Sequence, residues 1–180
     1  MAKKAAMLKR VILFVAISTM AAGLVLVCAN HNWQPLEAGA KADRILVEKG
    51  ARKLTLFNGS QAMKTYSISL GRAPTGPKRY ENDNRTPEGS YLIDSRNAAS
   101  TCHLALHISY PDARDKTEAA KRGRAPGGDI MIHGIANGYG WFGSLHRWHD
   151  WTSGCIAVTD FEVDEIWRAV PNGVRIEIRP

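Results

Sequence analysis

The chain has 180 residues, 44% of them hydrophobic and 23% charged. That composition supports a buried core and excludes a largely disordered chain. The formal net charge is +7, but Lys3, Lys4, Lys9 and Arg10 supply four of those charges, and seven less four leaves +3 for the rest; so small an excess removes most of the support for a nucleic-acid partner.

The first element is apolar. Val11 to Ala29 holds 19 residues without a charge, long enough to span a bilayer core. The basic flank predicts that this end stays in the cytoplasm while the remainder is exported. Two readings stand: a retained inner-membrane anchor, or a signal segment cleaved after Ala29. Either way the domain is expected in the periplasm or cell envelope. A lipoprotein reading of Cys28 is weak, because Val27 is bulky where such sites want a small residue. Residues 30–41 are polar, with Pro35 and Gly39, and read as a linker. Residues 42–180 read as one domain, expected to be a monomer.

From Ala42 the pattern is short alternating runs. "RILVE" and "RKLTLF" predict two strands, and Asn58-Gly59 signals a hairpin into a third. That third strand, "AMKTYSISLG", places Tyr66, Ile68 and Leu70 on one face. Gly71 to Gly89 is a long loop with three prolines. "SYLIDS" and "LALHISY" read as further strands, Pro111 to Gly128 as a polar stretch with a turn, and "DIMIH" as a strand ending on His133. A loop rich in glycine and aromatics runs from Gly134 to Gly154. "CIAV" reads as a buried strand. Thr159 and Glu162 then form a capping box, with Val163, Ile166, Trp167 and Val170 at helical spacing. Pro171-Asn172-Gly173 stops that helix, and "VRIEI" is a last strand. The sum is a mainly β domain, a sandwich or barrel with one clear helix near the C-terminus.

Cys155 is the residue with the most chemistry. A cysteine nucleophile needs a base, a group that orients the base, and donors for an oxyanion. His133 ends an apolar strand, and Gly134 beside it lets backbone approach. Gly154 frees the chain to aim amides near Cys155. On residue chemistry alone Cys155 reads first as a small buried hydrophobe at the start of a strand, and only second as a nucleophile. Cys102 and Cys155 would be the two cysteines of an exported domain, so one disulfide is allowed by count and untested by geometry.

"IMIHG" followed by "TSGCIAV" resembles the L,D-transpeptidase (YkuD-type) catalytic domain, whose pattern is His-Gly, a loop, then Ser/Thr-x-Gly-Cys. "RTPEGSYLI" is similar to that family's Thr-Pro-x-Gly motif, and "DWTSGCIAVTDFEVDEIW" to its proteobacterial branch. The resemblance covers about Arg44 to Pro180. It implies acyl transfer on peptidoglycan stem peptides. Cys155 would attack the carbonyl between diaminopimelate and D-alanine, and an amine would resolve the thioester. His133 would be base and then acid, and the Gly134 carbonyl would orient it. Amides around Ser153 and Gly154 would hold the oxyanion. Thr152, Trp151, Arg147 and Arg85 are the residues expected to bind substrate. The family pattern places an arginine where this chain has Ala157; either Arg147 stands in for it or nothing does. No metal and no organic cofactor is expected.

Other readings remain beside this one. The same fold could serve a hydrolase with water as acceptor, or a non-catalytic peptidoglycan-binding module. His103 and His107 fall about 13 Å apart along a strand face, and no histidine set here has a recognised zinc spacing. Trp141, Phe142, Trp148 and Trp151 either pack a satellite core or wall the substrate. Asp150 is expected to fix its loop by accepting backbone hydrogen bonds. Arg72, Lys78 and Arg79 either meet substrate carboxylates or form a solvated basic loop.

Overall fold

β1 (Arg44–Glu48), β2 (Lys53–Asn58) and β3 (Gln61–Ser67) form an antiparallel meander in the computed structural model, which describes residues 2–180. The expected hairpin forms. Gly59 opens the two-residue turn with a φ of +57°, which glycine adopts without steric cost. Tyr66, Ile68 and Leu70 are all buried, as their alternation predicts.

The remaining strands are β4 (Gly89–Ser100), β5 (His103–Ile108), β6 (Met131–His133), β7 (Ile156–Ala157) and β8 (Arg175–Arg179). All eight join one sheet in the order β3-β2-β1-β8-β4-β5-β6-β7. The C-terminal strand β8 thus lies inside the sheet, parallel to β1 and antiparallel to β4. The first part of β4 pairs with β8, and from Ile93 onward it pairs with β5 across two register shifts. There the sheet curls. The chain leaving β3 crosses to the far edge, where Ser69 and Ala157 exchange both backbone hydrogen bonds at 2.9 Å. The fold is therefore a single curled sheet, a half-barrel bridged at one end.

α3 (Asp160–Ala169) is the helix expected near the C-terminus. Its Glu162 carboxylate accepts the Thr159 N–H at 2.9 Å, and it buries Val163, Ile166 and Ala169 against β5 and β6. A second short helix was not evident in the sequence. α2 (Ala113–Ala120) occupies part of the polar stretch Pro111–Gly128, in which only a turn was expected. It turns only Asp115 and Ala119 inward, so it has no apolar period to read. Its start is a capping box of two aspartates. Asp112 accepts from the Asp115 N–H at 2.8 Å, and Asp115 accepts from the Asp112 N–H at 3.0 Å.

α1 (Ala2–Asn30) is one long exposed helix, apolar enough over Ala6–Asn30 to cross a membrane. The segment read as a linker is not a free tether. Glu165 of α3, 2% exposed, accepts from the Leu36 N–H and Asn32 Nδ2, both at 2.7 Å, and from Lys64 Nζ at 2.6 Å. That carboxylate fastens residues 32–36 to β3 and α3.

Candidate active site

β6 and β7 lie side by side and parallel, with Ile132 opposite Ile156 and His133 opposite Ala157. Side chains alternate faces along a strand, so this register puts His133 and Cys155 on one face as diagonal neighbours. His133 is 6% exposed, and its Nδ1 meets the Gly134 carbonyl oxygen at 2.6 Å. A carbonyl only accepts, so Nδ1 carries the proton and Nε2 is left as a base. Burial holds the His133 pKa below its ordinary value of 6.5, and the Gly134 bond opposes that only in part. The imidazole is neutral at pH 7.

Cys155 is half-buried, and its thiol donates to the Asp129 carbonyl at 3.4 Å. Burial pushes the thiol pKa above the ordinary 9.0, against a partial opposing effect of the Met131 backbone. At rest these two groups are a thiol and a neutral imidazole, and among the described residues the thiol's partner is the Asp129 carbonyl and not His133.

The turn before Cys155 is built by Thr152, which is 5% exposed. Its hydroxyl donates to the Cys155 carbonyl at 2.8 Å and accepts the Gly154 N–H at 3.1 Å. Thr152, expected to touch substrate, is thus occupied inside the turn. The Gly154 amide, expected to face an oxyanion, is spent on Thr152. The Ser153 and Cys155 amides have no acceptor among the described residues, and they are the donors left for an oxyanion.

Gly154 has a φ of +133°, and a Cβ there would lie 2.6 Å from the Arg85 carbonyl. Gly71 is equally confined, between the Asn84 carbonyl and Gly154. The "RTPEG" segment therefore packs directly on the turn before Cys155. Thr86, fully buried, accepts the Gly71 N–H at 3.1 Å. Arg85 contributes its backbone here. Its side chain lies by Gly76 in the long loop.

That loop is held from within. Lys49, 2% exposed, bonds the carbonyls of Gly76 (2.6 Å) and Thr86 (2.9 Å) and the Glu88 carboxylate (2.8 Å). Lys78 is buried in a pair with Asp83 at 2.9 Å, which takes it out of the set of free substrate-binding cations. Arg79 lies 3.8 Å from Glu118.

Arg147 is placed differently from the expectation. It is ion-paired with Glu162 at the start of α3, because a mostly buried guanidinium needs an anion and the capping carboxylate is in reach. It braces the aromatic loop. Asp150 accepts the Leu70 N–H at 2.8 Å and bonds Arg52 at 2.7 Å, the loop-fixing role expected of it.

Trp151 stands edge-on to His133, with centroids 5.7 Å apart, and its Nε1 donates to His146 Nδ1 at 3.2 Å. Burial first, then the nearby Arg147 charge, lower the His146 pKa to about 3, so this ring is neutral too. Beside it lies a cavity of about 390 Å³ walled by Ile135, Tyr139, Phe142, Leu145, Trp148 and Trp151, among others. His103 and His107 are each paired with a carboxylate, Asp164 at 2.9 Å and Asp94 at 2.6 Å. All cysteines are free thiols.

Three contributors carried no side-chain signal in the sequence. Asp129 acts through its carbonyl, from a backbone at φ +54°. Asp160 accepts the Ile135 N–H at 2.8 Å and sits where a Cβ on Gly134 or Gly140 would be, so it grips the loop after His133. His146 joins the site only through its bond from Trp151.

The family description YkuD, an L,D-transpeptidase catalytic domain, matches residues 42–178. Among curated proteins, "Putative L,D-transpeptidase YafK" of Escherichia coli (strain K12) is 28% identical over 113 residues, 61% of this chain and 38% of that protein. The match thus spans little more than a third of that relative. Among solved structures, the helical cell shape determining protein Pgp2 from Campylobacter jejuni superposes with a TM-score of 0.58 at 20% identity, covering 86% of this chain and 53% of that one. Bdellovibrio bacteriovorus Bd1075 does so with a TM-score of 0.52 at 25% identity, covering 81% and 51%. An L,D-transpeptidase from Mycobacterium smegmatis gives 0.51 at 12% identity, covering 77% and 59%.

Proposed function

The chain belongs to the YkuD family of L,D-transpeptidase catalytic domains, and on that premise we propose that it transfers acyl groups of peptidoglycan stem peptides through Cys155. The observation that carries the reading is that His133 on β6 and Cys155, the residue before β7, fall on one face of adjoining strands, with His133 Nδ1 bonded to the Gly134 carbonyl. Cys155 Sγ attacks the carbonyl between diaminopimelate and D-alanine. Its proton passes to His133 Nε2, and the oxyanion is met by the Ser153 and Cys155 amides. His133 then gives the proton to the leaving D-alanine nitrogen, and a thioester remains. An amine attacks the thioester, returns a proton through His133, and Cys155 leaves as the thiol.

The aromatic wall beside His133 favours an amine acceptor over water, because it keeps the approach to the thioester apolar. Domain limits of 42–180, with an N-terminal segment that is retained or cleaved, and a place in the periplasm or envelope, belong to the same reading.

The test is incubation of the protein with tetrapeptide stems, with D-alanine release and products followed by mass spectrometry. The expected products are cross-linked dimers, and Cys155→Ala is expected to release no D-alanine. Tripeptide monomers alone would replace the transferase by a hydrolase. Full activity in Cys155→Ala would refute the thioester.

A further inference from the structure

The 3₁₀ segment Gly140–Trp148 and the turn before it show aromatic side chains to solvent. Trp148 is 90% exposed, Tyr139 58% and Trp141 55%, and Trp141 stacks on Phe142 at 4.1 Å. Trp33, just after α1, is 70% exposed. So much clustered aromatic surface marks a contact site.

Two observations say what covers it. The first is where α1 ends. Asn30 Nδ2 donates to the Trp141 carbonyl at 2.6 Å, Ala29 is buried, and a Cβ on Gly143 would strike the Ala29 carbonyl. The uncharged run Val11–Ala29 has 19 residues, or about 28 Å at ~1.5 Å per residue, which matches the ~30 Å of a hydrocarbon core. Asn30 therefore emerges at the bilayer boundary, and Trp141 lies one hydrogen bond away. The second is charge. No residue from Gly134 to Leu145 is ionisable except Tyr139, and Arg147 is neutralised by Glu162. Placing this surface among headgroups strips water from no unpaired ion, and Trp and Tyr are the side chains that favour that layer.

We infer that the aromatic loop Tyr139–Trp148, with Trp33, docks onto the phospholipid surface of the bilayer that α1 spans. The inference rests on reading α1 as a retained anchor. Docking holds the cavity walled by Trp148 and Trp151 at the headgroup boundary. Trp151 is also the ring that faces His133, so the site works with one wall against the membrane.

The test uses the full chain in nanodiscs of phosphatidylcholine and phosphatidylglycerol whose acyl chains carry bromine just below the headgroup. Tryptophan fluorescence is compared with that in unbrominated discs, for the parent and for Trp141→Phe/Trp148→Phe, both at exposed positions. The brominated lipid is expected to quench the parent strongly, and the double variant to lose about two-thirds of that quenching, since two of the three interfacial tryptophans are gone. Equal quenching in both proteins would overturn the docking. Intact mass of the same samples reports α1 separately. A retained helix with no loss in the double variant leaves the anchor and sinks the docking. A processed chain sinks the anchor and, with it, the docking argued from it.

Discussion

Thr152 does its work one bond away from the chemistry. Its hydroxyl bridges the Gly154 amide and the Cys155 carbonyl, and so sets the direction of the two amides that stay free. Thr152→Val keeps the shape and removes both bonds. It is expected to lower kcat about 30-fold, with little change in KM, because the loss falls on the developing oxyanion. Thr152→Ser should recover most of the rate. Steady-state kinetics on a tetrapeptide stem decide it, and a Val variant at parental kcat would remove Thr152 from this role. In the sequence this threonine stands beside Cys155, and the partner expected for it there was substrate. A hydroxyl near a nucleophile invites substrate, and only the folded turn reveals that its donor and acceptor are already used. The same applies to Gly154. Its freedom at φ +133° was readable as a glycine, but the carbonyl of Arg85 that demands it lies far away in sequence.

At the scale of elements, the long loop Gly71–Gly89 behaves as a rigid part. Lys49 at the end of β1 gathers two of its carbonyls and Glu88, and burial lowers the pKa of that lysine against the pull of Glu88. Lys49→Met removes the cation and leaves Glu88 and two carbonyls short of a partner. Urea unfolding is expected to show a loss of about 3 kcal/mol, and a change under ~0.5 kcal/mol would mean the loop is held otherwise. The strands were largely legible, because alternation and the Asn58-Gly59 turn act locally. The helix α3 was legible through its capping box and its apolar face. What escaped was decided at a distance. α2 is too short and too polar to carry a period, and its aspartate box substitutes for the usual glutamate. The linker looked free because Glu165, which anchors it, lies on α3.

For the whole molecule, two rings near the site are kept neutral by burial, His133 and His146. Their folded pKa values lie below the 6.5 of the unfolded chain, so the unfolded state takes up protons first as pH falls. The stability linked to them is complete above pH 6.5 and declines below it, for His146 down to about 3. Each contributes a slope of about 1.4 kcal/mol per pH unit while only the unfolded form is protonated. Unfolding free energies measured between pH 7 and 4 should fall less steeply in His146→Gln than in the parent, and parallel profiles would refute the assignment. The order of the sheet belongs to this scale as well. No local pattern tells that the last strand enters the middle or that Ser69 reaches Ala157. That bridge has a kinetic consequence. Leu70 and Asp150 are bonded across 80 residues, and Arg52 and Asp150 across 98. Contacts of such sequence separation close late in folding. The turn before Cys155 is therefore finished only after the two ends of the domain have met, so a partly folded chain holds this cysteine without the backbone that frames it.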